Sequence, residues 1–161
     1  MSPTQRLAKM GRFETGSKES KMDEVVRQAI YKAVSTEPLA QKFNLKLVDL
    51  SDGYSLVEME YRPENMDNIY GRAHGGAIFA LIDEAFETAG QTAGTIAVAL
   101  NVNVTYVSSP MPGAVLRAEA SRQSQTKKTA SYIINVSDQN GNAIAFCQAL
   151  AYRTGKPIPF I

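Results

Sequence analysis

NIYGRAHGGAIFALIDEAFETAG, residues 68–90, joins a glycine-rich loop, Gly71 to Gly76, directly to a helical pattern. Ile78, Leu81, Ile82, Ala85, Phe86 and Ala89 recur at the spacing of one face of an α-helix. Ala77 and Ala80 extend that face, so the helix is apolar around most of its circumference and is expected to be buried. Asp83 interrupts this dry segment, and a buried carboxylate is costly unless it is paired or used.

Glycines at a helix start let a ligand or another backbone come close, and the first N–H groups of a helix have no partner inside it. At the positive end of the helix dipole such groups suit an oxyanion or a polarised carbonyl oxygen. Asp83 lies eight residues beyond Gly75, roughly 12 Å along the axis. An aspartate side chain cannot span that distance. If donor and acid belong to one site, the acid comes from a second copy of the helix, antiparallel across a two-fold axis, and the protein is a homodimer.

The rest of the chain narrows the class. Its 161 residues suit one domain with a real core. A net charge of +1 gives no bulk electrostatic reason to expect nucleic acid or a membrane surface as partner. The longest apolar runs fall well short of a membrane span. Cys147 is the single cysteine, which excludes an intrachain disulfide and favours a reducing, cytoplasmic setting. His74 is the single histidine, which excludes a two-histidine metal site in one chain. No nucleotide loop or Ser-His-Asp arrangement is visible, and no metal or cofactor is expected.

Residues 1–20 read as a polar tail without the apolar region of a secretory signal, and residues 156–161 as a C-terminal tail. Between them, 21–155 form one domain. Ser20-x-x-Asp23 resembles a capping box opening a helix over 21–36, which Pro38 stops. Alternation at Phe43, Leu45 and Leu47, and at Val57, Met59 and Tyr61, predicts a hairpin of strands 42–50 and 54–62 turning at Asp52-Gly53. Beyond the central helix, strands are expected at 97–106, 114–125, 129–138 and 143–152. Val98, Leu100, Val102 and Val104 share one face of the first, Asn140-Gly141 turns the last hairpin, and Lys156 to Phe160 cannot continue the ladder. An α+β fold follows: an antiparallel sheet around a long central helix, with an extra N-terminal helix.

Asn68-x-x-Gly71-x-x-His74-Gly75-Gly76, with Asp83 nine residues after the histidine, resembles the signature of hotdog-fold acyl-CoA thioesterases of the PaaI-like, phenylacetate-pathway type. The resemblance implies the hotdog fold, an acyl-CoA substrate and dimers that commonly pair into tetramers. In this reading Gly75 N–H holds the oxyanion, and Asp83 of the other subunit is general base on water or nucleophile through an anhydride. Asn68 positions the water or carbonyl, and His74 braces the loop, unless it is simply a buried imidazole tied to backbone carbonyls.

Gly76 belongs to the substrate cradle, and Arg122, Lys127 and Lys128 are candidates for the CoA phosphates. Relatives often carry Ser or Thr on the strand after the long helix; this chain offers Ala97 and Ala99, so Asn101 is the candidate substitute. Glu84 and Glu87 are expected on the solvated, polar side of the helix, with Glu87 an alternative second acid. The competing readings are a non-catalytic acyl-CoA-binding hotdog protein and a hotdog hydratase, which usually pairs a catalytic histidine with an acid at another helix position.

Overall fold

The computed structural model describes residues 22–161. The expected polar tail and the Ser20 cap lie outside the described residues. Helix α1 spans Glu24–Val34 and is capped by Asp23 itself, whose carboxylate accepts from Val25 N at 2.8 Å. Val26, Ile30 and Val34, four residues apart, are its buried stripe.

Pro38 does more than end this helix. It sits in the first turn of a second, α2 (Pro38–Phe43), where its missing N–H is no loss. Asn44, at φ 52° in the left-handed region, closes α2. The expected strand over 42–50 is therefore shortened: β1 runs Lys46–Ser51, and Phe43 belongs to the helix. The apparent alternation of Phe43 with Leu45 and Leu47 spans a helix end and a strand start. The hairpin itself is as expected, with Asp52-Gly53 joining β1 to β2 (Tyr54–Glu60), and Gly53 at φ 70°.

A single turn, α3 (Pro63–Met66), leads through the glycine-rich loop into α4 (Gly75–Gly90). Four strands follow: β3 (Thr95–Tyr106), β4 (Val115–Gln125), β5 (Thr129–Asp138) and β6 (Ala143–Pro157). All six strands pair antiparallel in the order β1-β2-β4-β5-β6-β3. β1 and β3 are thus the edges. α4 is the crossover that carries the chain from beside one edge to the other, and it buries itself against the sheet on the way. Leu81, Ile82 and Ala85 are fully buried there with Val57, Leu116 and Ile134.

Two strands depart from the sequence reading. β3 carries a bulge at Leu100, where Ala99 pairs with Ala151 and Asn101 with Leu150. An extra residue reverses the alternation beyond it. Ala97 and Ala99 face α4 before the bulge, while Val102 and Val104 pack on the core after it. Val98 and Leu100 are 46% and 57% exposed, so the four apolar residues do not share a face. β6, expected to end near Tyr152, continues to Pro157, which pairs with Thr95. A proline at the last position of a strand breaks no earlier ladder bond. Ile158 beyond it is buried and donates its N–H to Gly94 O at 3.1 Å.

Leu81 is enclosed on all sides at the centre of this packing. Leu81→Ala is expected to destabilise the fold by about 2–5 kcal/mol, measured as a lower denaturant midpoint at unchanged slope.

Candidate active site

The loop before α4 is closed on itself. Asn68 N donates to Arg72 O at 2.8 Å, and Asn68 Oδ1 accepts from Tyr70 N at 2.9 Å and Arg72 N at 3.3 Å. Gly71, at φ 67°, lets the chain turn back. Asp67 and Ala73 form a bridge across the loop, and His74 N donates to Met66 O at 2.7 Å. Asn68 Oδ1 is thus engaged in shaping the loop, leaving its amide nitrogen as the group it can offer outward.

His74 is the N-cap of α4. Its Nδ1 accepts from Gly76 N at 2.8 Å, and its carbonyl accepts from Ala77 N at 2.9 Å. The imidazole is exposed and accepts from an N–H, so it is not a buried ring tied to carbonyls. Accepting at Nδ1 leaves Nε2 to carry the proton of the neutral ring. With Gly76 N–H and Ala77 N–H taken, Gly75 N–H is the first-turn donor without a partner among the described residues. Gly76 is therefore engaged in the cap and not as a second donor.

A residue the motif does not contain completes this corner. Tyr106, the last residue of β3, donates its hydroxyl to Gly75 O at 3.0 Å. A Cβ built on Gly75 would lie 3.1 Å from Tyr106 Cζ, so the hydroxyl end of the ring packs against the glycine. The antiparallel return of β3 along α4 makes both contacts. At the other end, a Cβ on Gly90 would lie 3.3 Å from Ala97 Cβ. Strand and helix lengths hold the signal for this pairing, although no spacing motif names Tyr106.

Asp83 opens into a cavity of about 220 Å³ beside β3. Phe86, Gly90, Ala97, Ala99 and Ala151 form its walls, and Glu87 its rim. Gly75 does not line it. Desolvation holds the Asp83 carboxyl above the ordinary aspartate range. Neither strand residue facing the acid carries a hydroxyl. Asn101 does not replace one, because the bulge turns it to the outer face among Asn103, Ser131 and Gln148.

The candidate cations lie apart. Arg122 is held by Asp52 at 2.7 Å and packs over Gly53. Lys127 and Lys128 are exposed at the β4–β5 turn, where Lys128 Nζ donates to Tyr152 Oη at 3.3 Å. Glu87 is exposed and accepts from Gln91 Nε2 at 3.1 Å, as a polar-face residue should. Glu84 is not: it is 3% exposed, buried against α1 and α2 instead of solvated. Cys147 is buried, its thiol pushed up to about 11 by desolvation, which makes it inert packing. No described helix is long and apolar enough to cross a membrane.

Known proteins are similar to this chain in sequence and fold. The family model of the Thioesterase superfamily matches residues 70–145. A protein of Archaeoglobus fulgidus named "Putative esterase" is 32% identical over 91% of this chain and 93% of its own length. The acyl-coenzyme A thioesterase PaaI of Escherichia coli is 28% identical over 74% of this chain and 84% of its own. The E. coli PaaI structure superposes with a TM-score of 0.80 at 25% identity, covering 85% of this chain and 99% of that one. A Streptococcus mutans protein solved bound to acetyl CoA is 27% identical, with a TM-score of 0.67 over 71% of this chain and 92% of that one. Helix, loop and sheet, met first as a pattern of residues, therefore place the chain in the thioesterase superfamily, as a thioester hydrolase with the PaaI-like hotdog fold.

Proposed function

We propose that the chain hydrolyses an acyl-CoA thioester at a site built by two subunits. The observation that carries this reading is that Gly75 opens α4 whereas Asp83 lies near its middle, and the cavity holding the acid does not reach the open N–H. An antiparallel neighbour brings the two together. The β3 edge supports such a neighbour: it is a twelve-residue edge strand with exposed Val98 and Leu100 on it and exposed Phe146 and Leu150 on adjoining β6. A long, apolar, unpaired edge is a ready surface for pairing with a second copy.

In this reading Gly75 N–H donates to the developing oxyanion, a contribution of about 3–4 kcal/mol for one donor. Asp83 of the partner subunit takes the proton of the attacking water, or attacks the carbonyl carbon itself to give an anhydride that water opens. In either route the C–S bond breaks and the CoA thiolate leaves with the bonding pair. Thiolate is a good leaving group, so one carboxylate and one donor suffice. His74 keeps the first turn in register, Tyr106 fixes the Gly75 peptide, and Asn68 offers its amide nitrogen to the water or carbonyl. Lys127 and Lys128 are the proposed phosphate contacts, since Arg122 is engaged with Asp52. The E. coli relative named an acyl-CoA thioesterase and the acetyl-CoA-bound neighbour support CoA as the carrier.

Asp83→Asn is expected to lower kcat by at least about 100-fold, read as free thiol released from a panel of acyl-CoAs. Undiminished hydrolysis by that variant would remove the acid from the mechanism. Stability should move the other way. The folded state raises the Asp83 pKa, so it holds the proton more tightly than the unfolded chain, and the ionised carboxylate destabilises the fold as pH rises through the carboxylate range. The variant should therefore melt higher than wild type at neutral pH, with the difference shrinking in acid.

The shared site has its own test. Gly75→Pro removes the N–H at a position where proline suits a helix start. Mixed and re-equilibrated with Asp83→Asn, it gives heterodimers that hold one intact site of two. Two inactive preparations should then recover about a quarter of wild-type activity. Absence of any recovery, with subunit exchange demonstrated by mass spectrometry, would place both groups in one chain.

A further inference from the structure

We propose that the cavity between α1, α2 and α4 is a binding site for a small organic ammonium ion. It is a cleft open to solvent with a volume of about 400 Å³, within the range of small-molecule pockets. It is distinct from the cavity beside Asp83, and the proposal stands whether or not the catalytic reading above holds.

Its walls and floor differ sharply. Ile30 and Val34 of α1, Pro38 of α2 and Phe160 supply apolar surface. Glu37, Glu84 and Glu87 supply three carboxyl groups, and no lysine, arginine or histidine lines the cavity. Glu84 is 3% exposed, and its Oε1 is the buried side-chain oxygen without a hydrogen-bond partner among the described residues. A buried oxygen left without a donor is costly. Every ion pair found among the described residues lies elsewhere. No grouping of three acidic, histidine or cysteine side chains among them is close enough to hold a metal ion. An ammonium on a short apolar stem matches both halves: it donates to the unmet oxygen, balances the acids, and lays its carbon chain along the wall.

Proton linkage gives the site a signature. The Glu84 carboxyl is pushed up to about 8, first by burial, then by Glu37 and Glu87, with a hydrogen bond to Glu37 and the charge of Asp83 adding. α2 contributes Glu37, α4 contributes Glu84 and Glu87, and the α1 lining is without titratable groups. At neutral pH the cavity thus holds a proton that an arriving ammonium must displace. Affinity should rise roughly 50-fold from pH 6 to pH 8 and level off above that. Binding should release a proton.

The test is calorimetry of hexylammonium chloride against the full chain, with 1-hexanol and hexanoate as controls. Expected are saturable binding at least tenfold tighter for the amine than for the alcohol, the stated pH rise, and heats that differ between buffers of unlike ionisation enthalpy. Glu84→Gln keeps the shape and removes the charge; it should stay folded by circular dichroism and lose at least tenfold in amine affinity. Ala33→Phe, which fills the cavity without touching a charge, should lose binding as well. Equal affinity for amine and alcohol, no saturation in the millimolar range, or unchanged binding by folded Glu84→Gln would overturn the site.

Discussion

Enclosure of α4 is the constraint on which the rest of this molecule depends. A helix apolar around most of its girth cannot lie on a surface, so the chain spends six strands and two further helices covering it. The covering is laid down in a particular order. β2 precedes α4 and β3 follows it, yet these strands sit near opposite edges of the sheet, so the helix must cross the whole face between them. That crossing brings the return strand antiparallel to the helix. Gly75 meets Tyr106 at one end, and Gly90 meets Ala97 at the other. The open N–H of the first turn and the walls of the Asp83 cavity both descend from that alignment.

Much of this could be read from residues alone, because the decisive features are local. The run from Ile78 to Ala89 states a buried helix, and the two glycines state its start. Asp52-Gly53 and Asn140-Gly141 state two hairpins, and β5 falls at the expected residues. What escaped the sequence was set by pairing partners or by burial. A bulge at Leu100 leaves no mark on the alternation of β3, and it exists only as an unequal count against β6. The extension of β6 depends on Thr95 and Ile96 being present across the ladder, where Thr154 Oγ1 donates to Ile96 O. α2 hides because Pro38 can close one helix and open the next with the same fixed φ.

The functional corner divides in the same way. Gly75 as open donor and Asp83 as desolvated acid follow from spacing plus the chemistry of helix ends, whereas His74, read through the resemblance as a brace of the loop, is the N-cap of α4. Asn101 was mislaid for a geometric reason, since one inserted residue sends it to the outer face. Tyr106 was invisible because its role is set by where β3 ends relative to α4, thirty-one residues away in the chain. Val98 and Leu100 were placed on one face with Val102 and Val104 because alternation alone registers no bulge, and it cannot say whether a face meets the helix or a second copy.

α4 also carries acids on two of its flanks, and their positions set how they influence one another. Asp83 turns toward β3 and Glu84, its neighbour, toward α1 and α2, while Glu87, one turn on, borders both cavities. In a dry segment, charges that water would screen remain in contact. Glu87 is an exposed residue, yet it sits in the crevice between the two cavities, and desolvation, Glu37 and Asp83 together hold its carboxyl above the ordinary range. A proton gained or lost on one flank therefore changes the affinity for a proton on the other, without any movement of the helix. Burial that gives the proposed catalytic acid its raised proton affinity is the same burial that keeps Glu84 protonated near neutrality. The two cavities are electrostatically one system, joined through a helix whose apolar girth was the first thing its sequence declared.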